Sequence, residues 1–193
     1  MFEKLRAYFE RHIPLTDGQF EFIKTQFIPR KVMKNEILVR EGEVAKYGMF
    51  VASGCLRTYT IDKKGKEHII QFSVENWWTG DRNSYITGTP TTYFIDALED
   101  SEVLLFSETS LQKAMAIVPK MAEQFIMGLQ KHAIAQNNRI ASALSASAEE
   151  RYDNFVKTYP SLVQRVPQHM IASYLGISPE TLSRIRKQLS QKK

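Results

Sequence analysis

A single cysteine, Cys55, stands among the 193 residues. That excludes an internal disulfide and a zinc or iron–sulfur site built on the cysteines of one chain. Such usage fits a reducing compartment, so the cytosol is the expected setting. No run approaches the roughly 20 apolar residues that a membrane helix needs. Residues 1–19 mix charges into their apolar positions and lack the core of a secretory signal. The four histidines, His12, His68, His132 and His169, show neither clustering nor metal-ligand spacing. No Ser-His-Asp or Cys-His arrangement suggests a catalytic nucleophile. Internal repeats and low-complexity tracts are also missing.

What the chain does have is charge placed unevenly. The net charge is +5. Residues 161–193 carry Arg165, Arg184, Arg186, Lys187, Lys192 and Lys193 against Glu180 alone, and the first 160 residues balance. A basic excess confined to one end fits a polyanion partner, or equally a solvated tail. With 43% apolar and 24% charged residues the chain reads as one large or two small globular domains.

Texture changes along the chain. Residues 2–27 read as helical, with Thr16 and Gln19 at capping-box spacing ahead of Phe20, Ile23 and Phe27. From about residue 28 to 107, short β-branched and aromatic runs (49–51, 56–61, 68–72, 93–97, 103–106) alternate with turn signals at 41–43, 53–54, 62–65 and 88–90. Strands at this spacing predict an antiparallel barrel or sandwich, and with the helices around it an α+β fold. Pro119 suits the first turn of a long helix reaching about Leu144. Met121, Phe125, Leu129, Ile140 and Ala143 form a partial apolar stripe on it, interrupted by His132 and Gln136. At about 36 Å such a helix outreaches a small barrel, so packing against a second copy is expected, the alternative being a helix that lies on its own barrel. Residues 142–147, rich in small side chains, suit a hinge. Ser147 and Glu150 form a second capping box, opening a helix that Tyr159-Pro160 stops.

The C-terminal segment is the most informative. Ile171, Tyr174 and Leu175 give a short apolar helix face, with Ala172 small where a second helix must cross. Gly176 suits the tight turn, Ser178 an N-cap and Pro179 the first helical position. Leu182, Ile185 and Leu189 then line the inner face of a second helix. Its outer face carries Glu180, Ser183, Arg184 and Lys187 at i, i+3, i+4 and i+7. Arginine reads guanine, glutamate accepts from cytosine, and Ser183 and Lys187 suit phosphates. This is a helix-turn-helix pattern, set on the basic end of the chain.

At this point the chain resembles the Crp–Fnr family of bacterial regulators. The likeness rests on Ile37-Leu38-Val39-Arg40-Glu41-Gly42-Glu43, Met49-Phe50-Val51-Ala52-Ser53-Gly54, residues 97–103 and the segment Ile177-Ser178-Pro179-Glu180-Thr181-Leu182-Ser183-Arg184. The resemblance implies a cyclic-nucleotide-binding-type sensor barrel with N-terminal helices over 1–118, a dimerisation helix over 119–145 and a helix-turn-helix domain over 146–193. It implies double-stranded DNA, a second copy of the chain through 119–145 and RNA polymerase as partners, with no membrane, cofactor or metal. The DNA-binding set is Glu180, Ser183, Arg184, Lys187, Thr181, His169 and Arg186. A candidate effector pocket comprises Gly80, Asp81, Arg82, Tyr85, Thr91 and Thr92.

Three departures qualify the likeness. Members that bind cyclic AMP hold it with Gly-Glu, then Arg-Ser. The matching positions here are Gly80-Asp81 and Thr91-Thr92. A threonine cannot replace a bidentate arginine–phosphate pair, so no tight cyclic-nucleotide binding is expected. Pro179 replaces a base-contacting residue, so the half-site should differ. The family's C-terminal β-hairpin wing has no counterpart in this sequence, which should remove some backbone contacts. The iron–sulfur oxygen sensing of Fnr itself needs several cysteines, which this sequence does not have.

Two other readings stand beside this one. The barrel can be the main actor, with a small-molecule effector switching DNA binding and Trp77, Trp78, Tyr85 and Tyr93 lining its pocket or merely its core. A cupin-type enzyme needs closely spaced histidines, yet His68 is alone in the barrel region.

Overall fold

The computed structural model describes residues 1–191. Two helices open the chain, α1 (Phe2–Glu10) and α2 (Asp17–Thr25). The Thr16–Gln19 capping box at the start of α2 is present in both directions. Eight strands and one short helix follow: β1 (Ile28–Val32), β2 (Ile37–Val39), β3 (Gly48–Ser53), β4 (Leu56–Ile61), β5 (Glu67–Ser73), β6 (Trp78–Thr79), α3 (Arg82–Thr87), β7 (Phe94–Ala97) and β8 (Ser101–Phe106). Six further helices complete the described residues: α4 (Glu108–Ile117), α5 (Lys120–Ser145), α6 (Ala148–Thr158), α7 (Leu162–Arg165), α8 (Gln168–Leu175) and α9 (Pro179–Gln191). The antiparallel sheets and surrounding helices make this the expected α+β fold.

The strands form two four-stranded sheets, ordered β1-β8-β3-β6 and β2-β7-β4-β5. In β3 and β8 nearly every residue is buried, because this sheet is covered on both faces. Met49, Val51, Val103 and Leu105 point one way, into a cluster with Val39, Leu56, Ile95 and Ala97 from the opposite sheet. Phe50, Ala52, Leu104 and Phe106 point the other way, into a cluster with α1, α2, α4 and Met121 at the start of α5. The period-two alternation is therefore real but apolar on both sides, which is why these strands read as continuous hydrophobic runs.

Trp78 sits among Tyr8, Phe50, Phe106 and Phe125, with ring centroids 5.1–5.9 Å apart. It is half-buried and packed against the core. The aromatic packing fixes α1 and the start of α5 to the sheet.

Two compact units are distinguished: residues 1–60 with 71–128, and residues 61–70 with 129–193. The second thus gathers the tip of the β4–β5 hairpin with most of α5 and all of α6–α9. No helix among the described residues is long and apolar enough to cross a membrane.

Candidate nucleic-acid interface

The site is built in the second unit from α8, the turn after it, and α9. Gly176 ends α8 with φ of 67°, where a side chain would be strained, and its N–H reaches the carbonyls of Ala172 and Ser173. Ile177 N–H then donates to the Ala172 carbonyl at 3.0 Å. Arg151, from α6, donates Nη1 to the Leu175 carbonyl at 2.7 Å, placing a cation on the negative end of α8. No sequence signal joins Arg151 to this turn, since the two lie 24 positions apart.

Ser178 caps α9. Its Oγ accepts from the Thr181 N–H at 3.2 Å and lies 3.2 Å from the Thr181 hydroxyl. Leu182 and Ile185 are buried, and Leu189 is half-buried. Helix α9 packs against α8 and α6, where Ile171, Ala172, Leu175, Tyr152 and Phe155 are likewise buried. This three-helix packing leaves Glu180, Ser183, Arg184 and Lys187 exposed along one stripe of α9. Arg186 and His169 are also exposed, while Thr181 is half-buried and engaged in the cap. Lys192 and Lys193 lie outside the described residues.

The electrostatics suit a reader of base edges. The Ser178 hydroxyl holds the Glu180 carboxyl below its ordinary value, and a backbone N–H adds to the effect. Glu180 is therefore an acceptor at neutral pH, one helical turn from the guanidinium donors of Arg184.

The residues expected at the effector position are brought together only in part. Thr91 is buried and donates its hydroxyl to Asp81 Oδ2 at 2.6 Å, while Asp81 Oδ1 accepts the Ser84 N–H and caps α3. Thr91 also exchanges backbone bonds with Gly42 and Glu43. Gly80 has φ of 137°, and a Cβ there would come within 3.1 Å of Gly48 Cα. The Arg82 guanidinium sits over the Phe125 ring at 5.3 Å, and Thr92 is exposed, without a bond to Asp81. Burial pushes the Tyr85 hydroxyl up to about 12. Among the described residues no group of three or more His, Cys, Asp or Glu side chains could hold a metal ion.

Helix α5 divides the expected stripe. Met121 is buried and Phe125 packs against Trp78, so both serve the core of the first unit. Leu129, Ile140 and Ala143 of the same stripe are exposed, and beside them Ile126, Met127, Ile134 and Leu144 are bare, Leu144 at 85%. Ala133 and Ala141 fall on the same face, with Gln130 and Asn137 between them.

The comparisons fit this geometry. Residues 29–117 match the family model described as cyclic nucleotide-binding domain. The fumarate and nitrate reduction regulatory protein of Vibrio cholerae serotype O1 is 28% identical over 190 residues, covering 90% of this chain and 74% of that protein. The transcriptional activator protein FnrA of Stutzerimonas stutzeri is 26% identical over 168 residues, covering 81% and 68%. The chain is a homologue of the Fnr- and Crp-type transcription regulators. Its fold matches that of FixK2 from Bradyrhizobium japonicum, with a TM-score of 0.73 at 23% identity over 86% of this chain and 85% of that one. Homologues of this kind are transcription regulators and not enzymes.

Proposed function

We propose that this regulator binds a near-palindromic site as a homodimer, with α9 of each protomer in the major groove. One observation carries the reading: Glu180, Ser183, Arg184 and Lys187 are exposed together while Leu182 and Ile185 of the same helix are buried. Arg184 donates to guanine and Glu180 accepts from cytosine, while the Ser183 hydroxyl suits a phosphate. Lys187, Thr181, His169 and Arg186 border this stripe and contact phosphates.

The second copy docks along residues 119–145, on the bare face of α5. Its apolar residues recur at heptad spacing through Ile126, Ala133 and Ile140, with Leu144 four residues beyond Ile140. Gln130 and Asn137 supply the polar interruptions that fix register in such helix pairs. Residues 1–118 act as the barrel module and 146–193 as the DNA-binding domain, and RNA polymerase is the downstream partner.

Cyclic AMP is not the effector in this reading. The Thr91 hydroxyl is bonded to the Asp81 carboxylate, and Arg82 is held over Phe125. A cyclic phosphate would thus meet a carboxylate without a bidentate cation to offset it.

The test is in-vitro selection of DNA by the purified full chain at two salt concentrations. One enriched sequence with two inverted half-sites about 10 base pairs apart, centre to centre, is the expected outcome. Enrichment of no sequence would overturn the assignment.

A further inference from the structure

The tip of the β4–β5 hairpin is tied to the DNA-binding helices. Strand β5 lies at the edge of its sheet, where backbone groups lack a strand partner. Ser173 of α8 supplies one: its Oγ accepts the Ile69 N–H at 3.0 Å and donates to the Glu67 carbonyl at 3.3 Å. Arg139 of α5 donates to the Ile70 carbonyl at 2.7 Å, with its guanidinium 4.6 Å from the Tyr174 ring centroid. Residues 61–70 thereby form part of the second unit.

The turn itself is built around one carboxylate. Asp62 Oδ1 accepts the N–H groups of Lys64 and Lys66 at 2.8 and 3.0 Å, and Oδ2 lies 2.9 Å from His68 Nε2. These bonds hold the Asp62 carboxyl down at about 2, so its charge is spent inside the turn. Lys63, Lys64 and Lys66 are exposed, and none of the three is paired with a carboxylate among the described residues. Lys66 and His68 line a groove of about 600 Å³ together with His169, Ser178 and Pro179. Those last two residues open α9, the end that a recognition helix directs into the major groove. A fixed turn carrying three unpaired ammonium groups, beside the leading end of the reading helix, has the charge and position to meet the sugar–phosphate backbone.

We propose that the β4–β5 hairpin tip is a second DNA-backbone contact, in which Lys63, Lys64 and Lys66 neutralise phosphates beside the half-site read by α9. The inference rests on the DNA-binding reading above. It adds a surface far from the helix-turn-helix in sequence, and it predicts affinity without sequence information.

The experiment measures binding of the full-length protein to the duplex enriched by selection, across a salt series. K63A/K64A/K66A should make the plot of log affinity against log salt shallower by about 0.9 for each phosphate no longer neutralised, with the enriched sequence unchanged. The arginine triple variant, K63R/K64R/K66R, should restore the slope, since it keeps the charges. An unchanged slope in the alanine variant overturns the proposal while leaving the reading of α9 intact. So does normal DNA binding with reduced transcription by RNA polymerase, which would make the tip a protein-docking surface. A wild-type chain that prefers no DNA sequence defeats the underlying reading, and the proposal falls with it.

Discussion

Thr91 donates its hydroxyl to the Asp81 carboxylate across 2.6 Å, in a buried position. In a barrel that grips a cyclic phosphate, the same place needs a cation. The bond makes Thr91 part of the structure. Thr91→Val keeps the shape, removes the donor and leaves Asp81 Oδ2 without this hydrogen bond. Unfolding by denaturant should show a destabilisation of about 1–3 kcal/mol. Calorimetry of the wild-type protein with cyclic AMP or cyclic GMP should give no micromolar binding. A clear micromolar isotherm would reverse the reading of this position.

Arg184 and Lys187 stand one turn apart on the same exposed stripe, yet their replacement should read differently. Arg184→Ala should cost about 1–3 kcal/mol on the preferred duplex and relax discrimination at one base pair in each half-site. Lys187→Ala should weaken all sequences alike and flatten the salt dependence by about one unit of slope. Competition binding with single-base variants of the duplex separates the two. Arg184→Ala with full sequence preference would remove it from the base-reading set.

The bare face of α5 predicts the oligomeric state. Ile134 and Ile140 are 59% and 58% exposed in the single chain, an arrangement that a solitary helix does not favour. Ile134→Lys with Ile140→Lys places two cations in each half of the paired face, where desolvation and repulsion oppose association. Analytical ultracentrifugation should show the wild type as a dimer and the variant as a monomer. The variant should also forgo the gain from two linked half-sites and bind a full palindrome no more tightly than a single half-site. The same two lysines should leave the unfolding midpoint of the barrel nearly unchanged, since neither residue belongs to a buried cluster.

Much of this was legible in the sequence, for identifiable reasons. The capping boxes at Thr16 and Ser147 and the cap at Ser178 are local, complete in four residues, and survive whatever packs around them. The stripe on α9 was legible because its inner and outer positions differ sharply in polarity. Strand β1 was not: Pro29, Arg30 and Lys31 are polar or strand-averse, and only Val32 is buried. The stripe on α5 was legible only in part. Leu129 and Ile140 are exposed, whereas Met121 and Phe125 are taken by the core, and periodicity alone does not tell which residues of a stripe are already occupied. The bond from Ser173 to the hairpin joins positions 104 residues apart, and no local pattern encodes it.

Ser178 links the fold of α9 to its chemistry, and its replacement tests both. The hydroxyl caps the helix through the Thr181 N–H, and the same side chain is the first cause of the lowered Glu180 carboxyl. Ser178→Ala should therefore do two things. It should destabilise the DNA-binding helices by about 1 kcal/mol, measured by denaturant unfolding. It should also let the Glu180 carboxyl rise back toward the ordinary range, measured by NMR titration of its side-chain carbon. The sign follows from the direction of the shift. A carboxyl lowered in the folded state contributes stability above its unfolded value, and that contribution is lost as pH falls through the lowered folded value. Glu180 thus remains ionised, and able to accept from cytosine, throughout the range in which DNA binding is measured. Ser178→Ala should narrow that range only at its acid end, with no effect near neutrality beyond the cap itself. A Glu180 titration that does not move on removing the hydroxyl would show that Ser178 caps the helix and does nothing for the reading residue.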